Sequence, residues 1–302
     1  MKLKLMPVLV ALSLGVLSAC GSHEPAPEAQ QPVSLTVDAP KVTVLNAGEG
    51  AAEIVSFRDS GVTQQVAMEF SDSFEQGTGD VATLDPQPPA HPNVETLSAA
   101  VDATVSGESP RDVTLTMKDP KHSNIAYASD VYSTSGFQLS WTGQPTGRAE
   151  QVQLSAPANS TDQGRAVAEL YLMKLLAQPI IFPEEPIAPG ASWMVENRVA
   201  GDSTMLRNST YRLVSRNGDL AELEVAVSER PAVSALNIGD QGGQGELKVM
   251  QSTSNGTGHF TIDLSKPLPT AGEFFLATRV VYGQDETQTR VFQDFGSGIK
   301  FS

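Results

Sequence analysis

The sequence predicts a mainly β protein of the α+β class, a large curved antiparallel sheet or meander holding one main buried helix near residues 164–178. Three observations carry that expectation. Short runs alternate apolar and polar residues with the period of a pleated strand, and clusters of Gly, Pro, Asn, Asp and Ser separate them. The clearest helical segment beyond the N-terminal region is "AVAELYLMKLLA", Ala166 to Ala177. No convincing internal repeat divides the chain. Its 302 residues are enough to bury a substantial core, in one domain or in two lobes meeting near residues 156–165.

The first element is an address. Lys2 and Lys4 precede an apolar run from Leu5 to Leu17, which closes on Ser18 and Ala19 before Cys20. As a helix that run spans only about 20 Å at 1.5 Å per residue, short of the hydrocarbon core, so residues 1–19 read as a cleavable signal peptide. Leu17, Ser18, Ala19 and Cys20 resemble the lipobox of bacterial lipoproteins. That resemblance implies acylation of Cys20 and cleavage in front of it, with anchoring at the cell membrane or envelope. Two or three acyl chains hold a protein durably where one does not. Cys20 is the sole cysteine, so the exported chain can form no internal disulfide and must rest on packing.

Residues 20–35 combine the anchor with a Pro-rich polar stretch, expected as a disordered tether reaching roughly 45 Å if extended. The β-rich globular part is then 36–302. Loss of Lys2 and Lys4, with no acid removed, takes the formal charge from −15 to −17. So acidic a surface repels phosphate backbones and argues against nucleic acid as a partner.

Strands are expected, in order, at 41–45, 53–57, 63–70, 96–105, 112–117, 136–141 and 149–154, with a long loop at 77–93. A second series follows at 192–199, 208–215, 220–228, 246–252, 258–264, 274–282 and 287–295. In "TYRLVSRNGDLAELEVAV" a three-residue loop, 216–218, pairs Tyr211 with Leu223, Leu213 with Ala221 and Arg212 with Glu222, making one face apolar and the other charged.

The helix has Thr161 or Asp162 to cap its start and Pro179 to close it. Val167, Leu170, Tyr171, Met173 and their apolar neighbours go almost all the way round it, so it is either a core helix clasped by the sheet or one wall of an apolar cavity. After it, Pro183, Pro186 and Pro189 hold the chain extended, and Gly190 frees it to turn into the strand of Trp193. The pattern Phe182-Pro183, Pro186-Ile187, Gly190 and Trp193 resembles a family of secreted bacterial lipoproteins of no assigned activity. That likeness spans residues 147–195 and implies a shared fold. In architecture the chain also resembles envelope lipoproteins that carry lipids in a half-barrel, a curved sheet wrapped round apolar helices.

Catalytic signals are sparse. No G-x-S-x-G elbow occurs, and His23, His91, His122 and His259 are far apart in sequence. The glycine-rich run 239–246 lacks the Lys-Ser/Thr pair of a phosphate loop. Asp72, Glu75 and Asp80 do not have calcium-loop spacing and read as a solvated loop. No catalytic residue, metal or cofactor is therefore expected. The leading expectation is a non-enzymatic, lipid-anchored envelope lipoprotein, bound to membrane through acylated Cys20. It binds or carries a lipid or other apolar ligand in a pocket of Val167, Leu170, Tyr171, Met173, Phe182 and Trp193. The alternatives are a protein–protein interaction module and a hydrolase whose site is assembled from distant residues.

Overall fold

A computed structural model describes residues 32–199, 204–237, 246–284 and 287–302. Cys20, the signal segment, His23 and the run 239–245 lie outside the described residues. Thirteen strands form one antiparallel path, and a short fourteenth strand joins it at the side. Along one half of the path lie β1 (Val33–Thr36), β7 (Ala149–Ser155), β6 (Gln138–Gly143), β5 (Arg111–His122), β4 (Glu95–Ser106) and β3 (Thr63–Asp80). The path continues through β14 (Thr289–Phe301), β13 (Ala271–Gly283), β12 (Glu246–Asp263), β10 (Leu220–Pro231), β9 (Met205–Asn217), β8 (Ser192–Val199) and β2 (Lys41–Asn46). The side strand is β11 (Ala235–Asn237), which pairs with β12.

The two edge strands, β1 and β2, are neighbours in sequence. From Thr36 to Lys41 the chain reaches at most about 18 Å. Laid flat at about 4.8 Å per strand, the sheet would hold its edges about 60 Å apart. It must therefore curl until its edges nearly meet, leaving a seam. The seam is filled by irregular chain: the Phe57 N–H donates to the Pro145 carbonyl at 2.8 Å, and the Phe182 N–H donates to that of Thr146 at 2.9 Å. Glu53 and Ile187 exchange a pair of backbone bonds of 3.0 and 2.9 Å.

Alternation inside the curl is regular. Val113, Leu115 and Met117 on β5 and Tyr211 and Leu213 on β9 point inward, while the residues between them stay partly or fully exposed. The helix α2 (Asp162–Ala177) lies in the concave space, in contact with β3, β14 and β8. Thr161 caps it, accepting the Gly164 N–H at 3.0 Å. Gly164 is where α2 meets a second helix, α1 (Ala128–Tyr132): a Cβ there would stand 2.1 Å from the Asp130 carbonyl oxygen, so only glycine permits this approach. No described helix is long and apolar enough to cross a membrane.

Several expectations are corrected. Val33 to Leu35, read as the end of the tether, form β1. Residues 53–57 make a single bridge instead of a strand, because the seam offers them no edge to pair with. The stretch 71–80 continues β3 instead of looping, with Gly77 and Gly79 leaving room for Phe292 and Leu84. The two strands at 246–252 and 258–264 are one, β12, which runs through the expected break at 253–257, and Gly256 and Gly258 make space there for Leu276 and Phe274. The β9–β10 hairpin turns on Gly218-Asp219 and pairs Tyr211 with Val225, Leu213 with Leu223 and Arg212 with Glu224. A bulge at Val214 takes up the extra residue, so the faces come out as expected from a different register. The helix α1 and the 3-10 turn before it, Ile125–Tyr127, have no counterpart in the sequence reading.

Candidate apolar binding site

The C-terminal end of α2 is pinned by polar side chains from β8 and β9. Asn197 Nδ2 and Arg207 Nη1 donate to the Ala177 carbonyl at 3.1 and 3.3 Å, placing a cation where the helix dipole is negative. Gln178 Nε2 donates to Ser209 Oγ at 3.1 Å and to Tyr211 Oη at 2.9 Å, and Tyr211 in turn donates to the Pro179 carbonyl at 2.9 Å. Held there, the last turn presents Leu175 and Leu176, followed by Ile180, to the seam. Between them and Phe260, Ile299 and Phe301 from the sheet lies a cavity of about 90 Å³. Val37, Pro40, Phe57 and Trp141 close its seam side. It is larger than a single water needs and smaller than the ~150 Å³ engineered hole that holds benzene.

One buried ion pair touches this cavity. Arg111, in its lining, donates through Nε to Asp59 Oδ1 at 2.8 Å and through Nη2 to Oδ2, a two-point contact with both side chains buried. Its guanidinium lies 4.6 Å from the centre of the Phe57 ring.

The residues expected to form the pocket fall elsewhere. Val167 and Tyr171 are buried core positions on α2, and Met173 packs against that core half-buried. Leu170 is 53% exposed and faces away from the sheet interior, because apolar residues go nearly all round the helix and the concave side covers only part of it. Phe182, Trp193 and Tyr211 form an aromatic stack with centroid spacings of 5.8 and 5.7 Å, and the Trp193 indole N–H donates to the Ile181 carbonyl at 2.7 Å. None of the six lines the cavity, which lies further along α2.

Histidine geometry is local. The His122 side chain is buried; its Nδ1 accepts the Asn124 N–H at 3.1 Å, which leaves the proton on Nε2 to be donated to Tyr171 Oη at 3.2 Å. His91 is exposed, and His259 sits between Glu224 and Glu273 on neighbouring strands. Among the described residues no group of three His, Cys, Asp or Glu side chains is placed to hold a metal ion. Asp72 instead binds Lys174 of α2.

Burial raises the phenols of Tyr171, Tyr211 and Tyr282 above the ordinary tyrosine range, with Asp72 and Glu95 adding to the effect at Tyr171. At Tyr211 the Gln178 hydrogen bond and Arg207 oppose the rise without cancelling it. A raised native pKa means that the unfolded chain releases these protons first. Stability is therefore intact below about pH 10 and is lost as pH rises beyond it. Phenolate absorbance and far-UV circular dichroism recorded together should show Tyr171, Tyr211 and Tyr282 ionising only as the sheet melts. Titration of all five tyrosines near pH 10 in a folded protein would contradict this burial.

The fold and cavity define a class, an open curled β-sheet around a central helix with an apolar pocket at its seam. No protein-family model matches the chain, and no curated protein matches it. Among solved structures, a chain described as "Cell entry of botulinum neurotoxin type C is dependent upon interaction with two ganglioside molecules" is 9% identical over 85% of this chain and 88% of its own, with a TM-score of 0.09. At that score the likeness carries no argument.

Proposed function

We propose that the protein is a lipid-anchored envelope lipoprotein, non-enzymatic, that binds the hydrocarbon part of a lipid or other apolar ligand at the seam of its curled sheet. The supporting observation is the cavity between α2 and the sheet, walled by Leu175, Leu176, Ile180, Phe260, Ile299 and Phe301. Burial supplies the driving force, about 25 cal/mol per square ångström of apolar surface. In the structure as it stands only a short hydrocarbon end fits. A longer chain requires the seam segments around Val37 and Ile180 to part, and these are held by few backbone bonds. The acylated Cys20 would keep the seam within reach of a bilayer.

The mature chain, residues 20–302 with Cys20→Ser to prevent acylation, is expected to displace a fluorescent fatty probe from water. Leu176→Trp, which fills the cavity from its wall, is expected to lower that binding at least about tenfold, the loss of roughly 1.4 kcal/mol of apolar contact. Equal binding by the two proteins would remove the seam cavity as the site. A separate test, labelling of the wild-type cells with palmitate, should mark Cys20.

A second reading, an interaction module, is favoured by one feature. Ile125, Tyr132 and Leu170 are exposed at 89, 64 and 53% on the 3-10 turn and on the two helices, which pack together. Recovery of one stoichiometric envelope partner, lost on Ile125→Asp, would support it.

A further inference from the structure

The cavity is mostly apolar, its polar side chains being Arg111 and Gln178, and the state of the Arg111 guanidinium specifies the ligand further. Two of its three nitrogens, Nε and Nη2, are directed at Asp59. The third, Nη1, makes no hydrogen bond to a described residue and is not sealed off, since the buried side-chain atoms left without a partner are Glu196 Oε2 and Asn197 Oδ1 alone among the described residues. Phe57 covers one face of the guanidinium, so what remains to a residue of the cavity lining is an in-plane N–H donor. Gln178, the amide in the same lining, has both its N–H groups directed at Ser209 and Tyr211. Arg111 thus keeps a donor that water or a ligand entering the cavity can meet.

From this, and resting on the seam-cavity reading above, we infer that the ligand's polar end is an uncharged acyl carbonyl, an ester or amide, whose oxygen accepts a hydrogen bond from Arg111 Nη1, and not a free carboxylate or phosphate. The reason is charge. Asp59 already neutralises Arg111 at close range, so the pair presents itself to the cavity as a neutral donor. A second anion placed there would be a buried charge without a counter-ion beside an existing carboxylate, and burial of an unpaired charge is strongly unfavourable. A carbonyl oxygen meets the donor without that penalty. The acyl ester is the linkage by which glycerolipids and acylated proteins carry their chains, and the cavity size admits its first few carbons.

The test uses short ligands that dissolve without detergent: methyl pentanoate, pentanoate and pentane, titrated into the mature Cys20→Ser chain at pH 8 and followed by ligand NMR. The ester should bind at least about tenfold more tightly than the carboxylate. In the double variant Asp59→Leu with Arg111→Met, which keeps the site apolar and removes both charges, the affinity ratio of ester to alkane should fall about fivefold, the worth of a hydrogen bond to a neutral donor. Carboxylate binding as tight as the ester, or an unchanged ester-to-alkane ratio in the double variant, would overturn the inference while leaving an apolar site in place. Failure of all three ligands to bind would instead remove the seam-cavity reading itself.

Discussion

Trp193→Ala is expected to lower the folding free energy by about 3–5 kcal/mol, the range seen when a large buried aromatic is truncated. Trp193 is fully buried, stacked between Phe182 and Tyr211, and its indole N–H satisfies the Ile181 carbonyl. Truncation would leave a void at the junction of β8 with the Pro-rich segment and an unsatisfied carbonyl beside it. No neighbour can collapse into the space easily, since Tyr211 is tied to Gln178 and Pro179. Urea unfolding followed by circular dichroism should show a lower midpoint with an unchanged slope. A loss below about 1 kcal/mol would mean that the aromatic stack is not a keystone of the seam. Trp193→Phe, which keeps the ring and loses the N–H, should cost much less.

Asp59→Leu is expected to be comparably severe, at about 3–5 kcal/mol, because it strands Arg111 as a buried charge. The double variant with Arg111→Met should recover most of that loss, as replacing both members of a buried pair by apolar groups is often near neutral. The sign of the coupling decides the point. If the two single changes and the double change are additive, Asp59 and Arg111 do not act as a pair, and the neutral-donor argument loses its base. The connection is also topological: Asp59 lies on the irregular segment that fills the seam, and Arg111 opens β5. The pair therefore ties the closing segment to the sheet.

Much of the sheet could be read from the chain, and the misses share a cause. Alternation located nearly every strand, since period-two patterning is a local property of each segment. Glycine misled where its role is steric. Gly256 lies in the stretch 253–257 left as a break between two strands, yet it and Gly258 are the places where Leu276 and Phe274 lie across one continuous strand, and no local signal separates those two uses of glycine. The hairpin at Gly218 shows the reverse case, where the wrong register still gave the right faces because a bulge at Val214 restored the parity. Arg111 was missed, although the sequence carried a cue. It has the same parity as Val113, Leu115 and Met117, so an unbroken strand would turn it inward, as parity also does for Arg207 beside Ser209 and Tyr211. Its partner, Asp59, is 52 residues away on an irregular segment, and no spacing rule connects them.

By itself the sequence determined where most of the strands lie, which face of the β9–β10 hairpin is dry, and roughly where α2 begins and ends, because caps, prolines and side-chain periodicity act within a few residues. Only the tertiary structure decided that β3 pairs with β14, that the sequence neighbours β1 and β2 stand at opposite edges, and that the cavity falls beside Leu176 and not beside Leu170. The physical reason is that strand pairing and sheet closure are settled by contacts between segments as much as 217 residues apart or more, such as Gln293 with Gln76. Many partners of similar alternation compete for each edge, and the winner is the arrangement that lets the whole sheet curl round one helix.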